Sequence, residues 1–160
     1  MTSSQELYGR ADRKITDQDA SEITRVEELA YDLRVSEVMT ENVHTMTPDN
    51  TMSDLLELLR QYRISGAPVI ENGQLIGLVS LEDLIRAMCV ADLAAPVSKY
   101  MTTQLITANS FDPVVEAIEQ FSRSHIGRLP VIDAEGKLVG MITKGDITRG
   151  VLVALQKDYQ

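Results

Sequence analysis

The strongest constraint on this chain is an internal repeat. Val35-Ser36-Glu37-Val38-Met39-Thr40 recurs as Val97-Ser98-Lys99-Tyr100-Met101-Thr102, an offset of 62. The same offset carries Thr45 onto Thr107, Ile64 onto Ile126, and Pro68-Val69-Ile70 onto Pro130-Val131-Ile132. One extra residue in a turn raises the offset to 63, which carries Gly73 onto Gly136, Gly77 onto Gly140, Ser80 onto Thr143 and Asp83 onto Asp146. Pro, Gly and Asp each impose a backbone geometry or a polar contact, so their recurrence at fixed places marks a tandem duplication.

Each copy reads as strand, helix, strand, strand, helix. A short extended piece (Val43 to Thr45, Leu105 to Thr107) precedes polar turn residues. An amphipathic helix follows from about Thr51 to Tyr62, with Met52, Leu55, Leu56, Leu59 and Tyr62 on one stripe. Its counterpart starts at Asp112-Pro113, read as an N-cap and a proline at the first helical position, with Val114, Ala117, Ile118 and Phe121 as the stripe. Hairpins come next: Ala67 to Ile70 with Leu75 to Ser80 through Asn72-Gly73, and Leu129 to Ile132 with Leu138 to Thr143 through Asp133 to Gly136. A second helix begins near Leu81 and near Lys144.

About 60 residues per copy is marginal for independent stability, so the copies are expected to bury their faces against each other with approximate two-fold symmetry. The fold class is therefore α+β, tandem βαββα repeats. The organisation expected is a polar N-terminal segment and linker helix (1–34), repeat 1 (35–96), repeat 2 (97–155) and a tail (156–160). Residues 1–14 read as polar and loosely ordered. The stripe Ile23, Val26, Leu29, Ala30 and Leu33 reads as a helix packing on the repeats, or coupling them to a partner. Val151 to Leu155 is apolar nearly all round and is expected to be covered by self-association.

Composition narrows the function. Among 160 residues, 24 acidic side chains outnumber 15 Lys and Arg, for a net charge of −9. That balance opposes nucleic acid, whose phosphates draw affinity from clustered cations, and it opposes anionic lipid. No apolar run approaches the ~20 residues of a membrane helix, and the polar first 25 residues lack a signal-peptide core, so a cytoplasmic address is expected. The single cysteine, Cys89, excludes an internal disulfide and reads as a small buried hydrophobe. His44 and His125 show neither a nucleophile motif nor metal-ligand spacing, and there is no phosphate-cradling glycine loop. Catalysis is not expected.

Both copies close on Gly-x-apolar-[Ser/Thr]-x-x-Asp: Gly77 to Asp83 and Gly140 to Asp146. A hydroxyl followed three residues later by a carboxylate is a capping signal. The same pair at a helix start can hold a sugar, the carboxylate accepting from ribose hydroxyls.

This pattern, with Val-x-x-Met-Thr at each start, resembles the CBS domain pair, or Bateman module, over about residues 35–155. The resemblance implies a regulatory, non-catalytic module binding AMP, ADP, ATP or S-adenosylmethionine between the repeats, with no obligatory cofactor. It also implies a homodimer through the repeat helices, read out by an effector protein or fused domain. Carried over by position, one site holds Asp146 on the ribose, Thr143 on ribose or phosphate, Thr107 and Ala108 along the base, Leu129 and Pro130 closing the pocket, and Arg128 toward phosphate. The other holds Asp83, Ser80, Thr45, Met46, Ala67 and Pro68, with Gly66 where the second copy has Arg128. Arg63, His125 and Lys144 are further candidates for phosphate, Arg63 and His125 alternatively being solvated surface cations. Two unequal sites are expected, the Asp146 site being the stronger. If the cations point away from the cleft, a less charged adenosyl ligand fits better. The alternative is a dimerisation scaffold with empty or degenerate clefts.

Overall fold

The computed structural model describes residues 16–158, so the reading of residues 1–14 lies outside the described residues. The elements are α1 (Asp17–Asp32), α2 (Val35–Val38), α3 (Met52–Tyr62), β1 (Gly66–Glu71), β2 (Gln74–Ser80), α4 (Leu81–Cys89), β3 (Ala108–Asn109), α5 (Val114–Ser124), β4 (Arg128–Ile132), β5 (Leu138–Thr143) and α6 (Lys144–Asp158). A turn of 3-10 helix, Val97–Lys99, opens the second repeat as α2 opens the first.

The hairpins form as the turns demand. Asn72 and Gly73 both take positive φ between β1 and β2, and Gly136 does so between β4 and β5. Each hairpin slips by one residue at the same place, between Val69 and Ile70 and between Val131 and Ile132. The first strand of each unit sits later than its sequence suggests. β3 pairs parallel to β4 through Ala108 and Asn109, and in the first repeat a single bridge joins Met46 to Val69. Val43 to Thr45 and Leu105 to Thr107 form no strand.

Thr51 caps α3 in a reciprocal capping box with Asp54. The N-cap of α5 is Pro113 itself rather than Asp112, whose carbonyl is taken by Val35 N–H at 2.9 Å. Met52, Leu55 and Leu59 are buried as expected, but Tyr62 stays 43% exposed and stacks on His44 with ring centroids 3.6 Å apart. Cys89 is exposed, because it lies in the last turn of α4 beyond the core residues Leu84 and Ala87. The last helix runs through Leu155 to Asp158, so most of the segment read as a tail is helical.

The two cores exchange their opening segments. The first-repeat cluster of Met52, Leu55, Val69, Val79 and Leu84 contains Val97, which begins the second repeat. The second cluster, with Val114, Phe121, Leu129, Val131 and Ile142, contains Val35 from the first. Backbone bonds repeat the exchange: Val35 and Ser36 donate to Asp112 and Ser110, while Val97 and Ser98 donate to Asn50 and Pro48. Bridges Thr40↔Met141 and Leu78↔Thr102 complete it. Neither core closes without the other copy.

This exchange explains the motif glycine. A Cβ on Gly140 would lie 2.8 Å from the Thr40 carbonyl oxygen, and one on Gly77 would lie 3.2 Å from that of Thr102. Only glycine lets the Met-Thr segment of the other copy approach so closely.

Outside the repeats, α1 packs on the second repeat. Its Arg25 Nε meets Asp158 at 2.6 Å, and Leu29 is buried. No helix of the described residues is long and apolar enough to cross a membrane.

Candidate functional site

The strand-to-helix junctions are built alike. Ser80 N–H donates to Asp83 Oδ2 at 2.8 Å and the Ser80 hydroxyl to the same oxygen at 3.1 Å. Thr143 N–H donates to Asp146 Oδ2 at 2.9 Å, and Asp146 N–H donates back to Thr143 Oγ1 at 3.2 Å. The capping role is therefore present in both repeats. An arginine one turn on, Arg86 or Arg149, donates Nη2 to the Oδ1 of its own aspartate, at 2.6 Å in the second repeat. Asp83 and Asp146 are each 6% exposed, so these buried charges are met by hydrogen bonds, as burial requires.

A cleft of about 500 Å³ opens between the repeats. Leu78 to Asp83 form one wall, while Thr102, Gln104 to Ile106 and His125 to Arg128 form the other, with Ser65 at the edge. Its walls thus come from both copies. The cap of the first repeat faces the Met-Thr segment and helix end of the second, for the same reason that the cores exchange segments.

Arg128 corrects the sequence-based grouping. It pairs along the sheet with Thr143, yet its guanidinium crosses to the first repeat and donates to the Ser65 hydroxyl. It lines the cleft that contains Asp83, not Asp146. His125, in left-handed conformation at the C-cap of α5, lines the same cleft. Burial pushes the Arg128 guanidinium below its ordinary pKa, and the negative charge of Glu82 works against that shift.

The remaining candidates separate. Met46, Ala67, Pro68, Leu129 and Pro130 are buried, with Met46, Ala67 and Leu129 in the two cores and Pro68 fully enclosed. Thr107 and Ala108 line a cavity of about 120 Å³ beside α5, whose lining does not include Thr143 or Asp146. Thr45 lines a cleft of about 510 Å³ with Asn42, Gly73 and Lys137. Arg63 is exposed at the left-handed C-cap of α3, the position equivalent to His125. Lys144 lies in an apolar groove with Ile118, Phe121 and Ile147.

Sequence reasoning missed Ser65, Thr102, Gln104, Leu105, Ile106, Glu82 and Arg86. The repeated Met-Thr pair was the available signal for Thr102, but nothing local says that it faces the other copy. The arginine three residues after each aspartate was equally visible. No group of His, Cys, Asp and Glu among the described residues is arranged to hold a metal ion.

Comparison with known proteins fits this architecture. The CBS domain family matches residues 35–90 and 97–153. Inosine-5'-monophosphate dehydrogenase of Aquifex aeolicus is 40% identical over 110 residues, 68% of this chain and 22% of that protein. The uncharacterized protein MJ1232 of Methanocaldococcus jannaschii is 31% identical over 117 residues, 73% of this chain and 39% of that protein. The chain therefore spans well under half the length of these curated relatives. Among solved structures, the Arabidopsis thaliana CBS-pair protein CBSX2 in complex with AMP superposes with a TM-score of 0.66 at 30% identity, covering 78% of this chain and 98% of that one. With both of its βαββα units matched, the chain belongs to the CBS domain family and carries two copies of the domain in tandem.

Proposed function

We propose that this chain is a regulatory module that binds an adenosine ligand in the inter-repeat cleft and converts occupancy into a shift in the packing of its two halves. The observation that carries this reading is the cleft itself, which joins the Ser80–Asp83 cap of one copy to His125 and Arg128 of the other. A ligand spanning both walls favours the arrangement that fits it, by its differential affinity for the two states. The AMP complex of CBSX2 supports an adenine nucleotide as the ligand class. AMP, ADP, ATP and S-adenosylmethionine all belong to the class to be tested.

Asp83 accepts the ribose hydroxyls in this reading, sharing Oδ1 with Arg86. Arg128 and His125 meet the phosphate, while Leu105 and Ile106 offer apolar contact to the base. Binding rather than turnover is the role. The cleft brings together no nucleophile with a positioned base.

Ile85, Met88 and Val90 on and after α4, with Leu152 and Val153 on α6, are each at least half exposed. These apolar side chains support a homodimer through the repeat helices, which would carry the shift to an effector or to a fused domain. The scaffold alternative draws on one observation: internal donors already occupy both aspartates.

Thermal melting of the chain, purified free of ligand, tests the reading. A nucleotide at 100 times its Kd adds roughly 2.7 kcal/mol to the folded state. A rise with AMP, ADP, ATP or S-adenosylmethionine supports the sensor. No rise with any of the four sinks it in favour of the scaffold.

A further inference from the structure

Residues 17–40 precede the first hairpin in sequence, yet they lie along the second repeat. α1 falls outside both stretches matched by the domain family, and so does Asp158, the last residue of α6. The two are joined, Arg25 Nε donating to Asp158 Oδ2 at 2.6 Å and Nη2 to Oδ1 at 3.3 Å. Further along, the Leu33 carbonyl accepts from Val114 N–H at 2.8 Å, and Val35 and Ser36 donate to Asp112 and Ser110. Thr40 then exchanges both backbone bonds with Met141, at 2.8 and 3.0 Å, and donates its hydroxyl to Asp146 Oδ1 at 3.2 Å.

This stretch holds α6 at three points. Thr40 takes Asp146 in the first turn and Arg25 takes Asp158 at the last, roughly 18 Å apart along the helix axis. Between them Val38 of α2 sits on Gly150. A Cβ on that glycine would collide with Val38 Cγ1 and lie 3.0 Å from its Cβ. Glycine in a helix interior is destabilising relative to alanine, and Gly150 does not take positive φ. It is needed for space, so that α2 can lie against α6.

The stretch also has no joint. Between Arg25 and Thr40 there is neither glycine nor proline, and only Leu33 and Arg34 separate α1 from α2. The first positive φ among the described residues comes at Asn42, after α6 has been crossed. Arg149 shares Asp146 Oδ1 at 2.6 Å, but its side chain is largely exposed and free to turn into solvent. Thr40 lacks that freedom, because its backbone is paired to β5.

We infer that residues 17–40 form an autoinhibitory strap along α6: while α1 is docked, Thr40 occupies Asp146 and withholds that carboxylate from ligand, and release of α1 frees it. The inference rests on the adenosine reading above for the ligand and adds a gate at the second of the two junctions. By linkage, a ligand at Asp146 loosens α1 in return, which carries occupancy to a helix outside the two domains. At the Asp83 junction, Thr102 lines the cleft and makes no bond to the carboxylate among the described residues.

Gly150→Ala lifts the strap at its middle, and its effect is distinct from helix propensity, since alanine by itself firms a helix. Hydrogen exchange of the ligand-free chain reads both ends. Exchange should speed up about tenfold in α1 and at the hydrogen-bonded amides of Met39 and Thr40 alike. Arg25→Gln, which cuts only the far end, should speed exchange at Met39 and Thr40 by a smaller factor. Titration calorimetry with AMP then counts the sites, one equivalent per wild-type chain and two in Gly150→Ala. If Gly150→Ala does not fold, judged by its far-ultraviolet melting curve, Arg25→Gln carries both measurements.

Exchange that is unchanged, slower, or faster only at residues 35–38 overturns the strap. Two equivalents of AMP on the wild-type chain, or one on wild type and variant alike, overturn the gate and leave the adenosine reading standing. No binding to either protein overturns the gate and the adenosine reading together.

Discussion

Thr40 Oγ1, in the first repeat, donates to Oδ1 of Asp146 in the second at 3.2 Å. Arg149 donates to the same oxygen at 2.6 Å, and Thr143 N–H holds the other. The equivalent threonine, Thr102, lines the Asp83 cleft and makes no such bond among the described residues. One carboxylate is thus locked by the opposite copy, while the other keeps a hydroxyl of that copy free beside it.

Replacing Thr40 by Val should therefore destabilise the fold without opening a large void. Loss of a hydrogen bond to a buried charged group costs about 1.5–3 kcal/mol. The urea midpoint of Thr40→Val is expected to fall accordingly with an unchanged slope. An unchanged midpoint would show that Arg149 and Thr143 already satisfy Asp146.

The same contrast ranks the two carboxylates in the opposite order to the sequence reading. Asp83→Ala should abolish most of the AMP-induced rise in melting temperature, and Asp146→Ala should leave most of it. Each variant is compared with its own ligand-free baseline, because loss of the cap alone costs about 1 kcal/mol. A larger loss with Asp146→Ala would return the principal site to the second junction.

The motif glycines offer a test of the exchanged segments. A new Cβ on either glycine meets a movable methionine sulfur, Met39 at 2.7 Å or Met101 at 2.6 Å, but the backbone carbonyl is closer on Gly140, Thr40 at 2.8 Å against Thr102 at 3.2 Å on Gly77. Overpacking of this kind costs about 1–3 kcal/mol, and Gly140→Ala should sit at the upper end with Gly77→Ala below it. Urea unfolding of the pair measures the order. Equal costs would mean that both Met-Thr segments yield alike.

Between the repeats, Asp92 accepts from Lys99 Nζ at 2.6 Å and from the Tyr100 hydroxyl at 2.7 Å. The Lys99 bond, then the Tyr100 bond, lowers the Asp92 pKa, and the bond to Asp92 raises those of Lys99 and Tyr100. A lowered carboxylate contributes stability above its ordinary value of about 4, lost as pH falls through the lowered one. The raised Lys99 and Tyr100 contribute below about 10, lost as pH rises through their raised values. Tyr100→Phe should weaken the dependence at both limbs and leave the neutral plateau flat. Urea midpoints across the pH range check it, and an alkaline limb identical to wild type would refute the Tyr100 share.

Much of the fold was legible in the chain itself. Pro68 and Pro130, Gly73 and Gly136, and Asp83 and Asp146 each answer a local demand of a hairpin or a helix start, so duplication preserved them at readable spacing. The capping hydroxyls and carboxylates were legible on the same ground, their partners lying three residues away. The grouping of residues around each site is less legible, because it depends on contacts between the copies. Position in the repeat groups Arg128 with Asp146, whereas its side chain reaches the cleft of Asp83, and Met46, Ala67, Pro68, Leu129 and Pro130 are buried.

The sequence by itself determined two βαββα units, their turns, their caps and the family to which they belong, because each depends on contacts short in sequence. Tertiary structure alone decided which copy serves which cleft. Val35 and Val97 pack into each other's repeat, Thr40 reaches Asp146, and Arg128 crosses over Gly66 to Ser65. The contacts of Thr40 with Asp146 and of Arg128 with Ser65 span 106 and 63 residues. They follow from two half-cores that each lack a segment, and only the packed pair supplies it.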